Sequence, residues 1–117
     1  MFMMDSINVP VLGIVENMSY FTPQELPENK YYIFGKDGAK VLAEQLKIDF
    51  LAQIPLVQSV REASDAGRPA VLQGATPIAL DYLNMTKKIL SSIKKRNANF
   101  APTKAVELTN SKGCSSK

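Results

Sequence analysis

Val9-Pro10-Val11-Leu12-Gly13-Ile14-Val15 is the stretch on which the fold turns. It is nearly continuous in apolar, β-branched side chains, the composition of a strand buried on both faces, as in a parallel sheet. Pro10 falls among its first residues, where a missing ladder donor matters least. Polar residues begin at Glu16-Asn17, and Asn17 to Lys30 reads as loop, broken by Pro23 and Pro27. A second strand is expected over Phe50-Leu51-Ala52-Gln53-Ile54, ended by Pro55. Between the two lies the short aromatic stretch Tyr31-Tyr32-Ile33-Phe34, closed by Gly35. Ala39, Leu42, Ala43 and Leu46 then give the apolar stripe of a helix, with Asp37 placed to cap it and Lys47 in its last turn. Strand, helix and strand within about 45 residues predict a βαβ unit, with parallel pairing and a right-handed crossover.

Further along, Val57 to Ala66 is expected to form a short helix stopped by Gly67. Thr76-Pro77 is a helix start, with threonine at the cap and proline at the first helical position. Ile78, Tyr82, Met85, Ile89 and Ile93 form one apolar face, and the helix is expected to end near Arg96. Residues 97–117 are polar, basic and poor in large apolar side chains, and read as a disordered basic tail behind a domain over residues 1–96. At the other end Met1 to Ser6 reads as the last turn of a preceding element, and its apolar residues need a partner surface. Two strands of this composition cannot cover their own faces and edges. The expected fold class is therefore α/β, a partial parallel sheet with flanking helices, either part of a larger domain or completed by a second copy.

Composition removes several chemistries. The 117 residues contain no histidine and no tryptophan, and one cysteine, Cys114. This excludes histidine-based triads, bases and metal sites, an internal disulfide, and an all-cysteine zinc site within one chain. No apolar run is long enough to span a membrane, and no secretory leader is readable at Met1, so the default compartment is the cytoplasm. Net charge is +3, unevenly placed: residues 1–86 carry 6 basic and 10 acidic side chains, residues 87–117 carry 8 and 1. With no aromatic platform or recognised nucleic-acid motif beside it, the basic end reads as a solvated helix end and tail rather than a nucleic-acid or membrane surface.

The candidate site lies at the strand ends. In open α/β sheets, ligands bind outside the carboxyl ends of the strands. Asn17 sits just past the first such end and offers both a donor and an acceptor, which suits a purine edge. Ile54-Pro55-Leu56-Val57 marks the second, and parallel strands would open both ends onto one pocket. Arg61 and Asp65 beyond it have the spacing of a helical surface pair. Phe34-Gly35-Lys36-Asp37-Gly38 is glycine-rich before a helix, but it reads as a plain helix start. The phosphate-loop pattern Gly-x-x-x-x-Gly-Lys-Ser/Thr is absent from the chain. Cys114, in the tail, lacks the aliphatic neighbours of a prenylation box.

Val9-Pro-Val-Leu-Gly-Ile-Val-Glu-Asn-Met-Ser-Tyr-Phe21 closely resembles a segment of the Mrp/ApbC family of P-loop ATPases, iron–sulfur cluster carriers of the wider MinD-like group. The resemblance continues through Ile33-Phe-Gly-Lys-Asp-Gly-Ala39, Leu51-Ala-Gln-Ile-Pro-Leu56 and Arg61-Glu-Ala-Ser-Asp-Ala-Gly-Arg-Pro69, and covers residues 1–96 in order. It implies the carboxyl-terminal part of the ATPase domain, with the phosphate-binding loop, switch segments and magnesium ligands upstream of Met1. For the matched positions it implies that Asn17 contacts adenine and that Pro55, Leu56 and Val57 line the base pocket of ATP. It also implies a homodimer that passes clusters to apo iron–sulfur client proteins.

One departure is large. After the Asn-Met-Ser-Tyr-Phe motif the family typically has a Cys-x-x-Cys pair, two of which hold a bridging [4Fe–4S] cluster in the dimer. Here the segment reads Thr22-Pro23-Gln24-Glu25-Leu26-Pro27. Clusters are held by thiolates, so the change puts cluster binding at this position in doubt. No catalytic or metal-ligating residue is expected within the chain. The complete ATPase of such a family hydrolyses ATP, whereas this stretch alone is expected not to. Two alternatives stand beside this reading: a non-enzymatic module that dimerises or docks on a partner, and a MinD-like positioning ATPase that uses the basic end.

Overall fold

A computed structural model describes residues 8–105. Strand β1 (Gly13–Phe21) leads to helix α1 (Gly38–Leu46), strand β2 (Asp49–Leu56), helix α2 (Gln58–Asp65), a 3-10 turn (Ala70–Leu72) and the long helix α3 (Pro77–Asn99). The two strands pair in parallel, with α1 between them in sequence. Helix α1 packs on both strands, and α3 packs on β2 and on the 3-10 turn. This is the expected α/β unit. Among the described residues no helix is long and apolar enough to cross a membrane.

The strand bounds differ from the pattern in the sequence. Pairing begins at Gly13 opposite Asp49. Val9–Leu12 have no ladder partner among the described residues, because β2 starts only after the left-handed turn at Lys47 (φ 53°) that closes α1. At the other end β1 runs on to Phe21, through residues expected to be loop. Phe21 explains the extension: it pairs with Leu56, and it exchanges two backbone hydrogen bonds of 2.8 Å with Tyr31. Between Asn17 and Phe21 the register shifts, with four steps of β1 facing two of β2, and Met18 takes a positive φ of 54°. Pro55 lies inside β2 rather than ending it, facing this bulged stretch, where a missing ladder donor is tolerated.

Burial is thin. Among the described residues the buried apolar side chains are Ala43 of α1, Leu51 and Ile54 of β2, Ala63 of α2, and Ile78 and Ala79 of α3. In β1 only Ser19 is buried, and its hydroxyl donates to the Ile54 carbonyl at 3.4 Å. The apolar β1 run expected to be covered on both faces is thus half-exposed, because two strands and three helices do not supply two covering layers. Leu72, Phe34 and Ile33 stay largely in solvent.

The helices follow local rules more closely. Thr76 caps α3, its Oγ1 accepting from the Ala79 N–H at 3.3 Å, with Pro77 behind it. Ile78 is buried, and Tyr82, Met85, Ile89 and Ile93 are half-buried, giving the predicted face. The helix continues three residues beyond Arg96 to Asn99, so residues 97–99 are helical rather than tail. Met1–Ser6, the rest of the tail from 106 on, and Cys114 lie outside the described residues.

Candidate functional site

Glu16 organises the carboxyl half of β1. Its register partner on β2 is Gln53, whose Nε2 donates to Glu16 Oε2 at 2.8 Å. The other carboxylate oxygen accepts from the Ala39 N–H at 3.2 Å, in the first turn of α1. Asp37, expected to cap that helix, occupies the cap position in left-handed conformation (φ 58°) and makes no side-chain cap bond. The helix is capped instead from a strand 23 residues earlier. The start of α1 is therefore an anion site already filled by the protein's own carboxylate. One side chain ties β1, β2 and α1 together immediately before Asn17.

Glu16→Ala is expected to cost about 2–3 kcal/mol, the loss of two hydrogen bonds to a charged group and of a helix cap. Glu16→Gln, which keeps one acceptor, should lose about half of that. Urea unfolding of both variants checks the order, and equal stability of Glu16→Ala and the parent chain would disprove the cap.

Asn17 is exposed and opens the bulge, with its Oδ1 accepting from the Met18 N–H at 3.0 Å. This bond leaves its amide N–H groups free of protein partners among the described residues. Four residues on, Phe21 and Leu56 close the ladder. There a cavity of about 480 Å³ opens between the Phe21–Glu25 segment, Leu56, Val57 and the first turns of α2. Val57 is extended (φ −131°, ψ 126°) at the head of α2.

The sheet thus brings Leu56 and Val57 to a cavity at the carboxyl ends of both strands. Pro55 and Asn17 do not line it: Asn17 is the last paired residue before the bulge, and Pro55 lies opposite the bulge without a register partner. Leu56 and Val57 offer an apolar floor, and Thr22, Gln24, Gln58 and Ser59 offer neutral polar groups, a lining that fits a purine base. The acidic lining residues Glu25 and Glu62 do not favour a phosphate there. Gln58 Nε2 donates to Glu62 Oε1 at 2.7 Å. Arg61 pairs with Asp65 at 2.7 Å, with both side chains about two-thirds exposed. It is the surface pair that the spacing predicted, worth a few tenths of a kcal/mol.

Thr22–Pro27 forms tight turns, with Leu26 N–H donating to the Pro23 carbonyl at 3.2 Å and Asn29 N–H to that of Leu26 at 3.0 Å. It offers hydroxyl, amide and carboxylate oxygen but no sulfur, so its donor set does not fit an iron–sulfur cluster. Among the described residues no group of three or more acidic or cysteine side chains could hold a metal ion. The sequence missed the bridging role of Glu16, because its partners are set by strand register and by a helix start far along the chain.

Comparison with known proteins gives a consistent family. A family model described as ParA, NUBPL iron-transfer P-loop NTPase, matches residues 1–93. An iron–sulfur cluster carrier protein of Pyrococcus abyssi is 42% identical over 93 residues, covering 80% of this chain and 31% of the relative. The iron–sulfur cluster transfer protein NUBPL of Mus musculus is 43% identical over 93 residues, covering 79% of this chain and 29% of the relative. Among solved structures, a nucleotide-binding protein in complex with ADP from Archaeoglobus fulgidus aligns with a TM-score of 0.55 and 34% identity. That alignment covers 70% of this chain and 31% of the other. The chain spans less than a third of the length of these relatives.

Proposed function

The chain belongs to the NUBPL family of iron-transfer P-loop NTPases, and from that membership we propose that it forms the base-binding part of the family's ATP site. In this reading it is the carboxyl-terminal part of an ATPase domain, and the phosphate-binding loop is supplied by sequence outside it. The carrying observation is the parallel pairing that opens the ends of both strands onto one cavity floored by Leu56 and Val57. Asn17 is outside the cavity lining but exposed at the start of the adjoining bulge, and from there its unpartnered amide would reach the base edge, while Pro55 stiffens the strand before the floor. The relative with bound ADP supports a nucleotide as the ligand.

The cluster is cargo in this reading, delivered to apo iron–sulfur client proteins by a cytoplasmic homodimer. The Thr22–Pro27 segment is not where it is held.

The chain labelled with ¹⁵N and titrated with adenosine tests the proposal. The Leu56 and Val57 amides and the Asn17 side chain should shift, and cytidine should move them far less. Asn17→Ala should weaken the adenosine response by about tenfold, or ~1.4 kcal/mol. Shifts confined to other residues, or an equal response to cytidine, would overturn the base site. The same sample should release no phosphate from Mg-ATP, since the chain contains no phosphate-loop sequence.

A further inference from the structure

We propose that a basic groove at the amino-terminal edge of the sheet docks an acidic, partly apolar peptide segment of a partner protein. The groove lies at the other end of the strands from the nucleotide cavity and shares no lining residue with it. Its main cavity, about 580 Å³ and open to solvent, is bordered by the residues before β1, the start of β2 and the last turns of α3. Two further cavities continue it along residues 102–104, and Arg96 lines all three. The shape is a row of adjacent open hollows that share lining residues, suited to an extended chain rather than to one small ion.

Charge identifies the occupant. Lys47, Lys95, Arg96 and Lys104 line the groove, and among the described residues Asp49 is its only acidic lining residue. Asp49 Oδ2 already accepts from the Ser92 hydroxyl at 3.2 Å. Among the described residues none of the four cations is in an ion pair. Arg96 is half-buried, and its guanidinium meets only neutral acceptors, Asn97 Oδ1 at 3.2 Å and Thr103 Oγ1 at 2.9 Å. A planar five-donor group held this way keeps N–H donors for a carboxylate.

Between the cations the lining is apolar, with Val11, Leu12, Ile48 and an exposed Phe100. A segment that alternates carboxylates with apolar side chains matches both features. The chain's own residues 106–117 do not, since they carry Lys112 and Lys117 against one acid, Glu107.

Fluorescence anisotropy with a labelled, alternating Glu-Leu peptide tests the assignment on the whole chain. Two double variants with the same change in net charge are compared: Lys95→Glu with Arg96→Glu in the groove, and Lys87→Glu with Lys88→Glu beside a different cavity on α3. Circular dichroism confirms that both fold. The groove variant should bind at least about tenfold more weakly, the control within about twofold of the parent, and added salt should weaken the parent's binding.

Equal losses in both variants would reduce the effect to general charge attraction and overturn the site. So would no binding of the Glu-Leu peptide, or equally tight binding of a Lys-Leu peptide. Self-association that only the groove variant abolishes would make the groove a contact between copies, and would likewise overturn it.

Discussion

Replacing Ile54 by alanine is expected to lower stability by about 2–5 kcal/mol, the range for a buried isoleucine cut back to its β-carbon. Ile54 is 2% exposed and is the more deeply buried of the two β2 side chains at the centre of a core that otherwise includes four residues of α1, α2 and α3. So small a core has few neighbours that can collapse into the space. Ile54 also faces Asn17 across the ladder, and its carbonyl accepts the Ser19 hydroxyl in the bulge. Its loss should therefore unfold much of the chain at ambient temperature and remove the adenosine response with it. Leu42→Ala is the control: Leu42 is 45% exposed, and its truncation should move the urea midpoint little, by about 0.5 kcal/mol or less. Equal midpoints for the two variants would refute the placement of the core.

Gly13→Ala should be the second large loss, about 1–3 kcal/mol, from overpacking at a backbone contact. A β-carbon at Gly13 would stand 2.5 Å from the Asp49 carbonyl oxygen and 2.7 Å from Leu51 Cγ. The oxygen belongs to the residue that pairs with Gly13 at the start of the ladder, so it cannot withdraw without opening the sheet. Gly38→Ala gives the opposite sign. Gly38 is the first residue of α1, a β-carbon there meets nothing within 4 Å, and its φ is not positive. Alanine at that position should add about 0.4–1 kcal/mol by narrowing the unfolded ensemble. Thermal melts of the two variants should move in opposite directions; a harmless Gly13→Ala would mean that the strands do not meet at Asp49.

Elements governed by neighbouring residues were legible. The α3 start at Thr76-Pro77, its apolar face and the Arg61–Asp65 pair all appear where their spacing put them. Capping and i, i+4 contacts act within one or two helical turns, so a short window of sequence contains every participant. The strand limits were not legible. Val9–Leu12 have the composition of a strand but no opposite residues among those described, whereas Phe21, in a polar, loop-like context, does pair. A strand exists only where a partner's backbone is in reach, and that partner is fixed by how α1 ends, at Lys47.

The candidate site divides in the same way. From sequence alone come the parallel βαβ unit, and the expectation that its carboxyl ends carry one pocket shared by Asn17 and the backbone after Pro55. Both follow from hydrophobic periodicity and from the rule that a crossover connects parallel strands. Only the tertiary structure decided that Asn17 stands at the start of a bulge, outside that pocket's lining, and that Phe21 and Leu56 close the ladder. It alone showed that Glu16, not Asp37, caps α1. The same holds for the cations on α3, which converge with Lys47 beside an apolar groove. The physical reason is common to all of these: each joins groups more than 20 residues apart, whose meeting depends on register and packing angle, quantities that no local window of sequence contains.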